Sequence, residues 1–322
     1  MTPNETTIAP PNAGEGGGDS HAPAGPRGCS FLDAAGWGKG AGARYVLGAF
    51  LVFIYWQAAG AIVSLLFALR MADPGLSLRE IAESLSSPST FGPLRGFLLI
   101  NMVHPFLLLG LIFVVRLIHR RSLLSLATAR PRLRLGRVLQ GFGVWWALCC
   151  LSALVDYALA PASYELRWDP GLFFVFLPLA LLLTPIQTTA EELFFRGYLI
   201  QGLSRASRNP LLLACGSGFL FVLPHLANPE MGVNPILLIL IYFLTGVFLA
   251  VISLRDGTLE LAIGVHAANN LFSAVAVTFE GSIFDTPALF HTTHFDPAAT
   301  LVMLIAMAVI FYTIFGRRRE SP

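Results

Sequence analysis

The sequence predicts an all-α, polytopic membrane protein, a bundle of about eight transmembrane helices with a buried polar site. Three observations predict it. Of 322 residues, 55% are hydrophobic and 12% charged, where soluble domains carry about 25% charged residues. The apolar residues arrive in long blocks, near the roughly 20 needed to cross a bilayer as a helix, and mean hydropathy is +0.68. Most arginines fall in alternate connections between those blocks, with a mixed 70–95 loop outside and every outer loop from the third span onward the acidic member of its pair, as the positive-inside tendency expects of a chain threaded back and forth.

Taken in order, the first span is expected at about residues 45–69, after Lys39 and Arg44. A polar stretch over 70–95 follows, in which Ser77 to Ala82 fits a short interfacial helix. The second span, about 96–118, carries His104-Pro105 as a kink, because proline removes a helix N–H and crowds the preceding turn. The most basic connection then holds Arg116, Arg120, Arg121, Arg130, Arg132, Arg134 and Arg137. The third span covers about 138–160, and a loop with Glu165 and Asp169 leads to the fourth, 171–201. Pro178 and Pro185 predict that this span bends or unwinds just before Glu191. The fifth apolar run, 211–223, stops at Pro224-His225; the sixth, seventh and eighth spans are about 235–254, 259–278 and 298–315.

With the N-terminus in the cytoplasm, Lys39/Arg44, the 116–137 arginines, Arg205/Arg208, Arg255 and Arg317 to Arg319 all fall inside, and Glu165/Asp169, Glu230 and Glu280/Asp285/Asp296 outside. The expected localisation is a bacterial inner membrane with both termini cytoplasmic. Residues 1–43, rich in Pro, Gly and Ala with no apolar core, read as a disordered cytoplasmic tail and not as a signal peptide. Residues 44–316 form the membrane domain and 317–322 a basic tail. A net charge of +2 carries no sign of nucleic acid, and the cysteines, 29, 149, 150 and 215, have no metal-like spacing.

Three ionised groups sit in one of the most apolar regions, in Thr189-Ala190-Glu191-Glu192-Leu193-Phe194-Phe195-Arg196. A charge in hydrocarbon costs several kcal/mol, about 2.5–3.5 even on insertion scales, so it is usually paired and functional. Glu192 and Arg196 are four apart and share a helical face, the favourable order for a neutralising pair. Glu191 points about 100° away and has no partner within its own helix. The bland alternative is a polar cluster that only holds helices together.

Two further elements carry polar side chains: Phe221-x-x-x-His225 at the end of the fifth run, and His266-x-x-x-Asn270 on the seventh. A lone histidine near a helix end reads as a hydrogen-bonded structural residue, and His104 and His119 are read so; His291 and His294 read as solvated loop residues. Taken together, Glu191, His225, His266 and Asn270 suit a hydrolytic site, in which a carboxylate and an imidazole deprotonate water and the His/Asn pair supports an oxyanion. Glu191, His225 and His266 equally suit a zinc first shell. No His-Glu-x-x-His, Gly-x-Ser-x-Gly or phosphate-binding glycine loop is present. Intramembrane Glu and His also serve transporters, which keeps that class open.

In this order, on consecutive hydrophobic elements within about 178–277, Glu191-Glu192-x-x-x-Arg196, Phe221-x-x-x-His225 and His266-x-x-x-Asn270 resemble the CPBP family of intramembrane proteases, also called the CAAX protease and bacteriocin-processing or Abi family. The resemblance implies an eight-helix membrane endopeptidase with its catalytic core at about 171–278, acting on a membrane-anchored protein or peptide, prenylated CAAX substrates included. It implies that Glu191 activates water with His225, that His266 and Asn270 stabilise the oxyanion or help hold zinc or another divalent metal, and that Glu192 and Arg196 support the site. The family also contains immunity and scaffold proteins, so a non-catalytic role is the second alternative.

One tension follows from the topology. If the fifth helix starts inside at Leu211, His225 lies some 20 Å along it at about 1.5 Å per residue, whereas Glu191 and His266 would lie nearer the inner half. Pro224 and Ala227-Asn228-Pro229 are therefore expected to end that helix inside the protein, on a water-filled cavity.

Overall fold

The computed structural model describes residues 30–71, 77–85, 88–279 and 281–316. Its helices are α1 (Gly42–Met71), α2 (Leu78–Leu85), α3 (Pro93–Asn101), α4 (His104–Phe113), α5 (Leu135–Leu159), α6 (Pro170–Glu192), α7 (Ile200–Leu203), α8 (Pro210–Val222), α9 (Pro235–Asp256), α10 (Glu260–Val275) and α11 (Pro297–Phe315). Four of them start alike. Asp169-Pro170, Asn209-Pro210, Asn234-Pro235 and Asp296-Pro297 each place a side chain that accepts first-turn N–H groups, followed by a proline where no N–H is needed.

The chain is a polytopic helical membrane protein. Among the described residues, seven helical stretches are long and apolar enough to cross a membrane: 42–71, 93–118, 135–159, 170–203, 210–227, 235–256 and 297–315. The seventh predicted span, 259–278, differs. α10 has 16 residues, about 24 Å at 1.5 Å per residue, and the expected continuation to Thr278 is instead strand β2 (Val277–Phe279). All of α10 is buried except Asn269, Asn270, Phe272 and Ser273. It lies against α5 backbone to backbone, since a Cβ at Gly264 would meet the Val138 carbonyl and one at Gly141 the Leu261 carbonyl.

Other expectations need correction. α6 passes both prolines as regular helix, because Pro178 and Pro185 sit on its exposed face, and the distortion comes after the glutamates, as a π segment over Leu193–Leu199. The kink at His104-Pro105 is a break between α3 and α4. Residues 1–29 of the predicted tail, and all of the 317–322 tail, lie outside the described residues, but 30–41 belong to the fold. Phe31 is completely buried, and its N–H bonds the Gly257 carbonyl at 3.0 Å; one aromatic and two alanines (Ala34, Ala35) suffice to anchor a segment whose composition reads as disordered. His291 is buried in strand β3 (Phe290–Thr292), which pairs antiparallel with β1 (Tyr164–Leu166) and parallel with β2, so it is not a solvated loop residue. His294 is exposed, as expected.

The connections gather at two ends. At one, Lys39, Arg121, Arg134, Arg137 and Arg208 meet: Arg134 Nε and Nη2 reach the fully buried Glu260 at 2.6 and 2.5 Å, Arg137 reaches Asp256 at 2.6 Å, and Arg208 reaches Asp33 at 3.0 Å. His119, read as structural, bridges the Lys39 carbonyl and the Tyr198 hydroxyl at 3.0 and 2.9 Å here; burial, then the Arg121 charge, holds its imidazole below the usual histidine range. The other end carries the small sheet with Glu165, Asp285 and Asp296.

Candidate active site

Glu191 and Glu192 close α6, where one helix turn meets the π segment, and every residue from Glu191 to Tyr198 is buried. Widening the helix by one residue per turn brings successive side chains inward that an α-helix would spread around its circumference. Glu192, at 0% exposure, accepts from Arg196 Nη1 at 2.8 Å, the spacing read from sequence, and its same oxygen lies 2.7 Å from His266 Nδ1, a second partner that spacing does not disclose. The Arg196 guanidinium lies 4.1 Å over the Phe221 ring, a cation–π contact worth about 2 kcal/mol when desolvated.

Glu191 is not unpaired. Its Oε1 lies 3.1 Å from His104 Nε2, and its Oε2 3.8 Å from His266 Nε2, close enough for an ion pair and too long for a hydrogen bond. His104 is thus drawn from the structural category into the site. The signal was available as an imidazole inside an apolar span, but His104 is 87 residues from Glu191 in a helix with no motif spacing. His225 lies 2.7 Å from the Phe221 carbonyl through Nδ1; a carbonyl only accepts, so Nδ1 carries the proton and Nε2 the lone pair. Asn270 Oδ1 accepts from Asn269 at 3.3 Å, which leaves Nδ2 as its donor.

Glu191, His225, His266 and Asn270 all line one cavity of about 650 Å³, together with His104 and Gln187. α8 ends on it through a 3-10 turn, Leu223–Ala227, so Pro224 brings His225 to the same space as Glu191. Sequence reasoning missed Gln187, one turn before Glu191, 7% exposed, with its Oε1 lacking a partner among the described residues. It also missed Glu230, buried and accepting from Tyr242 OH at 2.5 Å and Ile283 N at 3.0 Å. Tyr242 in turn faces the His225 ring at 4.3 Å between centroids. At the rim, Tyr164 OH donates to Asp156 at 2.6 Å; burial and that bond push the phenol up, keeping it a donor.

Among the described residues no three His, Cys, Asp or Glu side chains are grouped as a metal first shell. Glu191 Oε1 is engaged by His104 and His266 Nδ1 by Glu192, so Glu191 Oε2, His225 Nε2 and His266 Nε2 are the atoms that would hold a zinc ion, which would polarise a carbonyl and acidify a water.

A carboxylate with flanking imidazoles on the wall of a cavity, inside a bundle of membrane-length helices, is the arrangement of an intramembrane hydrolytic site. The comparisons agree. A family model of the type II CAAX prenyl endopeptidase Rce1-like kind matches residues 170–272, which hold all three motifs. The uncharacterized protein YyaK of Bacillus subtilis (strain 168) is 31% identical over 268 residues, 82% of this chain and 88% of the relative. No solved structure matches. The chain belongs to the CPBP intramembrane protease family, with an Rce1-like domain, and is a multi-pass membrane protein with a bacterial relative.

Proposed function

We propose that this protein is an intramembrane endopeptidase that hydrolyses a peptide bond of a membrane-anchored protein or peptide, CAAX-type prenylated substrates included, in a bacterial inner membrane with both termini cytoplasmic. The observation that carries this reading is Glu191 on the cavity wall: His104 holds its Oε1, its Oε2 has no hydrogen-bond partner among the described residues, and His225 and His266 line the same cavity. A water there gives one proton to Glu191 as its oxygen bonds to the carbonyl carbon, while His225 Nε2 accepts its other O–H. His266 and Asn270 stabilise the oxyanion. The C–N bond then breaks as Glu191 returns the proton to the leaving amine. Glu192 holds His266 and Arg196, and His104 holds Glu191. These steps use side chains alone, and the chelator arm of the test below separates them from a metal mechanism.

Trp145, Cys149, Phe248, Leu304 and Met307 line an apolar wall of the same cavity, suited to a hydrophobic residue or a prenyl chain. The test is turnover of a panel of membrane-anchored and prenylated peptides by the purified protein. Glu191→Gln, His225→Ala and His266→Ala are expected to lower kcat by about 10²–10⁴ while remaining folded, and chelators to leave the wild type active. Equal cleavage by wild type and Glu191→Gln sinks the reading; loss on chelation restored by zinc replaces it with a metal mechanism.

A further inference from the structure

Along its own helix Glu191 is closer to the basic end, about 18 Å from Leu203 against about 32 Å from Pro170 at 1.5 Å per residue. Packing reverses that order. Between the site and the basic end the protein is solid: Glu192, Arg196, Tyr198, Gln201, Leu259 and Glu260 are all 0% exposed. Gln201 Nε2 lies 2.7 Å from each of the Phe31 and Ser125 carbonyls, and Arg134 clasps Glu260 from above. Among the described residues, the cavity has no lining from 105–144, 192–220 or 250–264, the stretches that build this plug.

Toward the acidic end the cavity continues past Asn270 and Ser273 to a rim formed by Asp156, Tyr164, Ser282, His294 and Asp296, of which His294 and Asp296 are exposed. The rim is built, since buried Glu230 joins the α8–α9 connection to the segment between β2 and β3 through its bond to Ile283 N. Four amide side chains, Gln187, Asn228, Asn269 and Asn270, line the passage. An amide both donates and accepts, as an extended peptide backbone does, and the volume is within the roughly 300–1,000 Å³ of ligand sites.

We propose that the site takes its substrate from the acidic end, as an extended peptide segment displayed on the extracytoplasmic surface. The proposal rests on the hydrolytic reading above and on the concentration of most basic residues, from Lys39 through the 116–137 arginines to Arg205, Arg208 and Arg255, at the plugged end, against Arg70, Arg79, Arg95 and Arg167 at the other; the positive-inside tendency places the more basic end in the cytoplasm.

Single cysteines in a chain freed of Cys29, Cys149, Cys150 and Cys215 test it without requiring activity. In spheroplasts, a membrane-impermeant maleimide is expected to label His294→Cys at the rim and Ser273→Cys within the passage, and to reach Arg208→Cys at the plugged end only after permeabilisation. The reverse pattern overturns the proposal. In parallel, an impermeant peptide substrate is expected to be cleaved by spheroplasts carrying the wild type and not by Glu191→Gln cells, with inside-out vesicles inactive until opened by detergent. Cleavage by intact inside-out vesicles also overturns it. Outside labelling with Glu191-independent cleavage retires the hydrolytic reading but leaves the direction of access standing.

Discussion

Two buried polar clusters share this bundle, and they are finished differently. At the basic end Glu260 has both oxygens occupied, Oε1 by Arg134 N at 2.6 Å and Oε2 by the Arg134 guanidinium and Thr258. At the site, Glu191 Oε2, Glu192 Oε2, His104 Nδ1, Gln187 Oε1 and two Arg196 nitrogens lack hydrogen-bond partners among the described residues; at the basic end Arg121 Nε alone does. A saturated network in a low-dielectric interior locks packing, whereas an unsaturated one leaves hydrogen-bonding capacity unused beside the cavity that Glu191, His104 and Gln187 line. The first is a fastener and the second a reagent.

The sharpest way to break that contrast is to neutralise each cluster. Glu191→Gln is expected to lower kcat about 10³-fold, roughly 4 kcal/mol of transition-state stabilisation, with an unchanged or slightly raised unfolding temperature, read by peptide turnover and thermal scans in one detergent. Arg134→Ala is expected to do the reverse. It strands the Glu260 carboxylate, a change of about 3 kcal/mol in unfolding free energy, at the lower part of the range because Arg134 is itself 39% exposed, while the kcat of the folded fraction stays within about twofold. Equal losses of activity and stability in both variants would erase the distinction.

His104 sharpens it from the site side. His104→Leu removes the donor to Glu191 and is expected to cost about 10- to 100-fold in kcat with KM unchanged, while His104→Gln, which can present an N–H near the position of Nε2, recovers most of it. A fall in stability alone would move His104 to the fastener class. The smallest effect is expected at His119. Its burial-lowered pKa means that the fold holds it neutral, so its contribution is present above pH 6.5, the ordinary value, and is lost as pH falls from there through the folded pKa. Wild type should lose thermal stability as pH falls below about 6.5, by less in His119→Gln, as followed by unfolding temperature against pH.

The spans were legible because each is a long apolar block. The trio Glu191/Glu192/Arg196, Phe221/His225 and His266/Asn270 was legible because each motif lies within one helical turn, where spacing reports a shared face. What spacing cannot report is a contact between helices. His104 on Glu191 and His266 on Glu192 are products of tertiary packing. Strands of three residues, such as Tyr164–Leu166, are too short for alternation to register. Phe31 shows the limit of composition, since one buried ring among glycines and prolines is enough to order its neighbours.

The π segment Leu193–Leu199 has a consequence for how this helix could change over time. A π turn is an α-helix carrying one surplus residue, so it works as a gearwheel between two halves of one rod: Glu191 and Glu192 on the working side, Tyr198 and Gln201 on the anchored side. Deleting a single residue between 193 and 199 would remove the surplus and restore ordinary pitch with the two halves still in phase, whereas the same deletion in the regular part of α6 would turn one half against the other by about 100°. The π segment is thus where this helix best tolerates a change of length by one residue.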